Sequence, residues 1–413
     1  MTTLSIVIPA YNEEDGIAEI VTRVLNVKGE LKKVGIDDLE LIVVDDGSRD
    51  RTVAIVESIS DVRLIRHLKN KGYGAALKTG FAYARGELIG FLDADGTYPP
   101  EYFPKLCEQV LAGSDLVIGS RMAGAKSEMP LTRRIGNVFF AGFITLLGRQ
   151  RITDSASGMR VFRKEVLEKV YPLPDGLNLT PIMSTRALHE QVKMTEIPIP
   201  YSERVGRSKL SVIRDGSIYL QSITWTVLNY NPVRVLGMIG LGGVAVAQAV
   251  AIGLVIARLG GTTELGPWGV AALFWALLSG VIGVSVFSLG VTFNYLVSLF
   301  HKRPIRQGLF GRPIFKVPLE NYFGWIGAVS ILAGLVVGIV ALALGIRGWE
   351  ITRLWFYLLA SAMAILVGIQ LVIYLILLKV LDELSKQEAL AKSQINVDDD
   401  VATEQVKEVS PVA

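Results

Sequence analysis

Residues 88–96, LIGFLDADG, join a short apolar run to an acidic turn. The apolar part predicts a buried β-strand, and Asp93 and Asp95 follow it directly. Two carboxylates two positions apart are costly to bury, but they suit a divalent cation at a strand end. A polar turn without a ligand is the alternative, since Asp and Gly are common in turns. A second acidic pair, Asp45 and Asp46, ends another apolar run and favours the cation site.

Apolar runs alternate with helical patterns through the first half of the chain. Strands are predicted at 4–8, 39–44, 62–65, 88–92 and 115–119, and helices at 13–25, 51–59, 73–84 and 100–111. This alternation predicts an α/β domain with a Rossmann-like, mostly parallel sheet. Ligands of such sheets bind beyond the carboxyl ends of the strands. The polar residues that follow the first, second and fourth predicted strands should therefore meet at one edge of the sheet.

Two glycines, Gly72 and Gly74, raise the alternative of a dinucleotide-binding fold. The residues after the first strand are Pro9-Ala10-Tyr11 rather than a glycine fingerprint, and the chain contains no phosphate-loop pattern. These two observations exclude that alternative. The glycines are instead expected to permit a tight helix start or a close approach to a ligand.

The second half of the chain is much less charged than the first. Of the 413 residues, 51% are hydrophobic and 20% are charged, and the uncharged runs are 235–257, 265–300, 323–346 and 354–378. About 20 helical residues cross a bilayer core of ~30 Å, so each run is long enough. Four such runs in succession argue against buried helices of a soluble protein. We expect transmembrane helices at about 235–257, 268–298, 323–346 and 354–378.

Positive charge is distributed unevenly between these predicted spans. Five cations lie between the second and third spans, namely Lys302, Arg303, Arg306, Arg312 and Lys316. The loop between the first and second spans, 260–268, contains no Lys or Arg. The positive-inside rule then places both termini and the soluble domain in the cytosol. Because no basic leader precedes the first strand, we expect the soluble domain to stay in the cytosol. The four spans predict a multi-pass protein of the cell membrane.

Four domains or segments are predicted from these patterns. They are a soluble domain at 1–206, an amphipathic juxtamembrane segment at 207–231, four transmembrane helices within 232–380 and a polar, disordered tail at 381–413. A further apolar stripe at 135–147 has helical spacing and flanking arginines. This stripe either lies on a membrane surface or packs on the core of the soluble domain.

Charge, cysteine and histidine content restrict the function classes. The formal net charge of +3 is too small to indicate a nucleic-acid partner. A single cysteine, Cys107, excludes an internal disulfide and is expected to be a core residue. The three histidines, His67, His189 and His301, are scattered, which does not support a histidine metal site.

The motifs in residues 4–212 resemble glycosyltransferase family 2, specifically the polyprenyl-phosphate glycosyltransferases similar to dolichyl-phosphate mannose synthase. The matching stretches are 5–14 (SIVIPAYNEE), 43–48 (VVDDGS), 70–72 (NKG), 93–95 (DAD), 99–100 (PP), 119–121 (GSR), 154–155 (DS), 158–160 (GMR) and 207–209 (RSK). The resemblance implies a glycosyltransferase A fold, and the four predicted spans resemble members of this group that carry a membrane domain.

The resemblance also implies a reaction and its participants. A hexose would pass from a nucleotide sugar, of the GDP-mannose or UDP-glucose/UDP-N-acetylglucosamine type, to a dolichyl or undecaprenyl phosphate, with Mg²⁺ or Mn²⁺ as cofactor. The residues implied to bind the nucleotide sugar are Pro9, Tyr11, Glu13, Asp45, Asp46, Gly72 and Asp93. The implied metal site is Asp93, Asp95 and Thr97, although Thr97 stands where related enzymes often have Gln. The implied catalytic residues are Asp93, Asp95, Arg121, Arg160 and Lys209, with the three cations facing phosphates.

Direct attack by a lipid phosphate predicts inversion at the anomeric carbon and requires no strong general base. A processive polysaccharide synthase is one alternative, but the chain has no Gln-x-x-Arg-Trp motif. A lipid-sugar flippase or anchor with an inactive soluble domain is another, and the intact pair Asp93/Asp95 argues against inactivity. The expected partners are the donor, the lipid acceptor and the membrane. The sugar, the nucleotide base and a homo-oligomeric state stay open.

Overall fold

The computed structural model describes residues 2–408 except 125–128, 148–150, 203–211, 263–265, 301–319 and 350. The chain divides into two compact units, Met1–Val227 and Leu228–Ala413. The division falls inside one helix, α9 (Val212–Tyr230), which covers most of the segment predicted to adjoin the membrane.

Seven strands form one sheet in the described part of the first unit. They are β1 (Thr3–Ala10), β2 (Asp38–Asp45), β3 (Val62–Arg66), β4 (Leu88–Phe91), β5 (Leu116–Ser120), β6 (Arg160–Arg163) and β7 (Met194–Pro198). Their order is β3-β2-β1-β4-β6-β5-β7. All neighbouring pairs are parallel except those of β6, which runs antiparallel to β4 and β5. The predicted mostly parallel sheet is confirmed, and each of the five predicted strands is present.

The sequence patterns did not reveal β6 and β7. Strand β6 has only four residues and an arginine at each end, so it carries no clear apolar run. Strand β7 contains Glu196 and Pro198 and is only partly buried. Both strands depend on pairing with β5 rather than on a local pattern.

Helices cover the sheet and bury apolar stripes against it. They are α1 (Ile17–Asn26), α2 (Lys28–Lys33), α3 (Thr52–Glu57), α4 (Tyr73–Tyr83), α5 (Phe103–Leu111), α6 (Leu131–Leu147), α7 (Val166–Val170), α8 (Leu179–His189) and α9, with a short 3₁₀ helix at Pro100–Tyr102. Helix α1 buries Ile17, Ile20, Val21 and Val24, which share one helical face. Strand β1 is buried from Leu4 to Ala10, as expected for a central parallel strand. This packing fixes the strand ends that carry the acidic residues.

The described part of the second unit contains four helices, namely α10 (Pro232–Leu259), α11 (Pro267–Phe300), α12 (Glu320–Ile346) and α13 (Ile351–Glu408). Each contains a stretch long and apolar enough to cross a membrane: Pro232–Leu259, Pro267–Ser298, Tyr322–Ile346 and Phe356–Ser385. Their large apolar side chains point mostly outward, as in Ile256, Phe274 and Leu342. The four predicted apolar helices are therefore confirmed.

Glycines lie at close contacts between helices in this unit. A methyl group added to Gly240 of α10 would lie 2.6 Å from the carbonyl oxygen of Gly283 in α11. Between α12 and α13, a methyl group on Gly368 would lie 2.6 Å from the carbonyl oxygen of Gly327. Small residues therefore let each pair of backbones approach closely, as is common between membrane helices.

The tail differs from the sequence prediction. Helix α13 continues as far as Glu408, through most of the segment 381–413 that was predicted to be disordered. The residues 383–393 (ELSKQEALAKS) are mostly good helix formers, so helix propensity extends the last apolar helix beyond its apolar part.

Candidate active site

A cavity of about 550 Å³ opens at the carboxyl ends of the parallel strands in the first unit. Eight residues that the sequence singled out line it: Pro9, Tyr11, Glu13, Asp46, Gly72, Asp93, Asp95 and Arg121. They come from the ends of β1, β2, β4 and β5 and from the start of α4. The structure thus brings together residues that are more than one hundred positions apart in the chain.

Asp93 is held from two sides. The Tyr73 hydroxyl donates to Asp93 Oδ1 at 2.7 Å. Burial and the neighbouring carboxylate raise the pKa of Tyr73, so the phenol keeps the proton that it donates. On the other side, a methyl group at Gly158 would lie 2.7 Å from Asp93 Cγ. Only a glycine leaves room for the carboxylate at that position.

Asp95 is more deeply buried than Asp93, with 8% of its surface exposed. The Thr97 hydroxyl donates to Asp95 Oδ1 at 2.6 Å, and the Thr97 backbone N–H donates to the same oxygen at 3.2 Å. Thr97 itself is 1% exposed and is not among the residues that line the cavity. Its observed contact is therefore to the carboxylate, behind the cavity wall.

The acidic pair suits a divalent cation, although it does not form a complete ligand set. Among the described residues, no group of three or more His, Cys, Asp or Glu side chains is arranged to hold a metal ion. Mg²⁺ is commonly bound through one or two carboxylates together with water and substrate phosphates. Asp93 and Asp95 on the cavity wall fit that pattern.

The neighbouring residues Asp45 and Asp46 have different surroundings. Asp45 caps a turn by accepting hydrogen bonds from the backbone N–H groups of Gly47 and Ser48, and it does not line the cavity. Asp46 lines the cavity and accepts from the backbone N–H groups of Lys71 and Gly72 at 2.9 and 2.8 Å. Both residues were predicted to bind the nucleotide, but only Asp46 lines the cavity, while Asp45 caps the turn.

The start of α4 lies against the segment 174–176. Gly72 has φ +107°, and a methyl group there would lie 2.5 Å from the Asp175 carbonyl oxygen. The Ala75 backbone N–H donates to that same oxygen at 3.1 Å. The expected tight helix start at Gly72 is therefore present, and the close neighbour is protein backbone.

Arg121 lines the cavity in a fixed orientation. Its Nε and Nη2 donate to Asp154 Oδ2 and Oδ1 at 2.7 and 2.8 Å, and its guanidinium lies over the rings of Tyr98 and Tyr201. Burial alone would lower the pKa of Arg121, but the negative charge of Asp154 outweighs that effect and raises the pKa of Arg121 above its ordinary value. Burial also opposes the Asp154 charge, and Arg121 nevertheless lowers the pKa of that carboxyl group. Both groups therefore stay charged at neutral pH.

Arg160 does not line the cavity. It is fully buried, and its guanidinium donates to the carbonyl oxygens of Ser155 and Ser157 and to the Ser184 hydroxyl. Burial lowers the pKa of Arg160 to about 10, despite the nearby Asp154. In this position it stabilises the turn before β6, and the expected contact with a phosphate has no support here. Lys209, the third predicted cation, lies outside the described residues.

The sequence predicted a helical stripe at 135–147 and an amphipathic segment at 207–231, but not that the corresponding helices, α6 and α9, line the cavity. Helix α6 contributes Thr132, Arg133, Gly136, Asn137 and Phe140, and α9 contributes Asp215, Gly216 and Tyr219. The rings of Phe140 and Tyr219 pack edge to face, with centroids 5.7 Å apart. The available signal was the spacing of three and four positions between the cavity residues of α6, opposite its more exposed apolar face.

Two family models match the chain. The model described as Glycosyl transferase family 2 matches residues 5–171. A domain of unknown function, DUF8752, matches residues 232–392. The first match covers strands β1 to β6 and the cavity residues Glu13, Asp46, Asp93 and Asp95, and the second covers most of the four-helix unit.

Three curated proteins illustrate the relationship. The dolichol-phosphate mannosyltransferase of Pyrococcus furiosus is 36% identical over 50% of this chain and 59% of that protein, so the chain spans less than two thirds of it. The dolichyl-phosphate hexose transferase of Haloferax volcanii is 30% identical over 53% of this chain and 92% of that protein. The undecaprenyl-phosphate 4-deoxy-4-formamido-L-arabinose transferase of Edwardsiella ictaluri is 28% identical over 74% of this chain and 92% of that protein.

A solved structure of glucosyl-3-phosphoglycerate synthase from Mycobacterium tuberculosis, in complex with Mn²⁺, UDP-glucose and phosphoglyceric acid, is more distant. It is 20% identical, with a TM-score of 0.43 over 55% of this chain and 80% of that chain. A similarity of this size supports no argument about the site. The Haloferax relative is matched over nearly its whole length, and the family model covers the cavity residues from Pro9 to Ala156. The chain therefore belongs to glycosyl transferase family 2.

Proposed function

We propose that this protein transfers a hexose from a nucleotide sugar to a polyprenyl phosphate at the cytosolic face of a membrane. The observation that carries the proposal is the cavity, in which Asp46, Asp93, Asp95 and Arg121 meet although they follow three different strands, β2, β4 and β5. The named activities of the Pyrococcus, Haloferax and Edwardsiella relatives support the acceptor class. The four apolar helices of the second unit support membrane residence.

The donor is proposed to bind where the ends of β1 and β2 meet the start of α4. Pro9, Tyr11, Glu13, Asp46 and Gly72 line that part of the cavity. Carboxylates and backbone groups at this edge suit the hydroxyl and amide donors of a nucleoside and a sugar. Asp45 contributes indirectly in this proposal, because it caps the turn that follows Asp46.

Asp93 and Asp95 are the proposed ligands of Mg²⁺ or Mn²⁺. When bound, such a cation would offset the negative charge of the departing nucleoside diphosphate. The residues of this chain contribute orientation: Tyr73 holds Asp93, and Thr97 holds Asp95. A cation nearby lowers carboxyl pKa values, so both groups would be ionised when they bind it.

The acceptor phosphate is proposed to approach Arg121 and Arg133, which line the cavity. An oxygen of the lipid phosphate attacks the anomeric carbon, the bond from that carbon to the diphosphate breaks, and the configuration inverts. The second pKa of a phosphate monoester is near ~6, so the nucleophile is already largely anionic at neutral pH. The protein has to position charge rather than remove a proton. A contribution from Lys209 stays a prediction.

The outer faces of α6 and α9 suit contact with lipid. Helix α6 exposes Leu131, Ile135, Val138, Phe139 and Leu146 on one helical face. Helix α9 exposes Ile218 and Trp225. The same two helices line the cavity with their other faces, so a surface that meets lipid would lie beside the site that needs a lipid substrate. Positive charge between the second and third spans supports an orientation with both termini in the cytosol.

One experiment tests the proposal directly. The purified full chain in lipid nanodiscs is given a panel of radiolabelled nucleotide sugars, a polyprenyl phosphate and Mg²⁺ or Mn²⁺, and lipid-extractable label is counted. We expect one donor to transfer label in a cation-dependent way. Absence of label with every UDP- and GDP-sugar, both cations and both dolichyl and undecaprenyl phosphate would refute the proposal.

A further inference from the structure

His67 is a buried histidine whose two ring nitrogens both contact side chains. It lies directly after β3, where its backbone N–H donates to the Asp45 carbonyl oxygen at 2.9 Å. Its Nδ1 lies 2.7 Å from Asp46 Oδ1, and its Nε2 lies 2.9 Å from the Thr79 hydroxyl of α4. The residue is 8% exposed and does not line the cavity. It therefore has no direct access to a substrate.

The hydrogen-bonding partners determine which nitrogen carries the proton. A carboxylate accepts hydrogen bonds and cannot donate, so the nitrogen facing Asp46 must be Nδ1–H. In the neutral ring Nε2 then accepts, and the Thr79 hydroxyl donates to it. The ring is thus held at both ends, and its Nδ1–H is aimed at one oxygen of Asp46.

Asp46 connects His67 to the cavity wall through further hydrogen bonds. Besides His67, it accepts the backbone N–H groups of Lys71 and Gly72. These amides directly precede α4, the helix whose first residue, Tyr73, holds Asp93 and whose third residue, Ala75, donates to the Asp175 carbonyl oxygen. A rotated Asp46 carboxylate would release the two amides and loosen the cavity wall from residue 70 to residue 73.

We propose that His67 is a positioning residue for the donor site, acting through Asp46 and braced by Thr79. It fixes the carboxylate so that the segment 70–73 is formed before the nucleotide sugar arrives. The substrate in this statement rests on the proposed function, whereas the structural consequence for 70–73 does not. If the segment 70–73 is ordered before the donor binds, binding does not have to order it. The expected effect of His67 is therefore on the affinity for the donor rather than on the rate of the chemical step.

Two substitutions at one position separate positioning from packing. His67→Asn puts an amide N–H near the place of Nδ1 and keeps a donor toward Asp46. His67→Gln extends its amide toward the place of Nε2 and loses the donor toward Asp46. Thr79→Val is a smaller, nearly isosteric change that removes the brace on Nε2. Thr22→Val is its control, because the Thr22 hydroxyl bonds only to its own helix, at the Ala18 carbonyl oxygen.

Hydrogen exchange and kinetics are measured on the full chain in nanodiscs. Loss of a hydrogen bond to a carboxylate changes an equilibrium by about tenfold. We expect His67→Gln to speed amide exchange at 70–73 by about tenfold and to raise KM for the donor by a similar factor, with kcat changed by less than about threefold. Thr79→Val should shift both in the same direction by a smaller factor, and His67→Asn should restore most of the protection.

The outcomes are distinct. Equal exchange at 70–73 in His67→Asn and His67→Gln, or a fall in kcat without a rise in KM, would overturn the positioning role. If His67→Gln does not fold, unchanged exchange at 70–73 in Thr79→Val overturns it instead. A further outcome is that the variants show the expected pattern of amide exchange while the wild-type protein transfers no sugar. That result would support the positioning role of His67 and refute the proposed function.

Discussion

The two units of this chain differ in the kind of polar residue that they bury. In the first unit, Met1–Val227, charged residues such as Asp46, Asp154 and Arg160 are buried, and each accepts or donates several hydrogen bonds. In the second unit, the buried polar residues of the described part are uncharged, such as Thr292 and Ser361, and large apolar side chains face outward. Charge placement therefore specifies the first unit, while close backbone contact specifies the second.

The largest expected effect tests whether the buried acidic residues of the first unit serve chemistry rather than folding. We expect Asp95→Ala to reduce sugar transfer by about a thousandfold or more, because the diphosphate would lose its charge-offsetting cation. The protein should remain folded and membrane-inserted. The measurement is lipid-extractable label together with a thermal melt in detergent.

The control for this change is Asp61→Asn. Asp61 is exposed and has φ 63°, a conformation that asparagine also accepts. Its activity should match the wild type. Undiminished transfer by Asp95→Ala would contradict the metal role of Asp95.

The second prediction concerns the cost of an unpaired buried charge. Asp154→Asn leaves Arg121 buried without its carboxylate partner, so the free energy of unfolding of the first unit should fall by about 3–5 kcal/mol. This change is measured by chemical denaturation, in which circular dichroism rather than tryptophan fluorescence follows the unfolding of the sheet. A loss below 1 kcal/mol would show that water replaces Asp154 around Arg121.

The same pair predicts a pH dependence. The pKa of Asp154 is lower in the folded protein than in the unfolded chain, because Arg121 favours the carboxylate despite burial. Its contribution to stability is therefore complete above the unfolded pKa of about 4 and is lost as pH falls through the lower folded pKa. Acid titration of the wild type should show this loss, and Asp154→Asn should flatten that part of the profile.

The third prediction tests backbone contact in the second unit. Gly240→Ala places a methyl group 2.6 Å from the Gly283 carbonyl oxygen, so α10 and α11 must separate, at a cost of about 1–3 kcal/mol. Gly242→Ala is the matched control, since a methyl group there meets no atom within 4 Å. Thermal melts of both variants in one detergent make the comparison. Equal stability of the two would show that the contact with Gly283 does not matter.

The smallest expected effect concerns the boundary between protein and lipid. Replacing Phe139 by Ser on the exposed face of α6 should lower transfer to a long-chain polyprenyl phosphate in nanodiscs by about threefold to tenfold. Transfer to a short, water-soluble acceptor should change much less. Leu111→Ser on α5 is the control, because Leu111 is also exposed but does not belong to this face. Equal losses with both acceptors would contradict a lipid-contact role.

Much of the sheet and its active edge could be predicted from sequence. Strands β1, β2 and β4 are recognisable in the sequence as apolar runs, and parallel strands bring their carboxyl ends together. The division of labour between Asp45 and Asp46 could not be predicted. Neighbouring residues at a strand end point to opposite faces, and which face meets the cavity depends on how the following turn closes.

Other parts of the site depend on contacts that no local pattern encodes. Arg160 matched a cation expected to face phosphate, yet carbonyl oxygens from its own turn and the Ser184 hydroxyl of α8 enclose it. His67 had no distinguishing neighbours in the sequence, and its role becomes visible only beside Asp46 and Thr79. The tail beyond the fourth apolar stretch was predicted from its polarity, while its helix-forming residues continue α13.

The antiparallel strand β6 has one more consequence. Because it runs against its neighbours, the residues before it reach the same edge where β4 and β5 end, which is how Asp154 meets Arg121 and Gly158 meets Asp93. The ion pair between Arg121 and Asp154 therefore joins the end of β5 to the residues that precede β6. On the proposed function, we predict that exchanging α6 and the residues around it for those of a homologous chain changes acceptor preference more than donor preference.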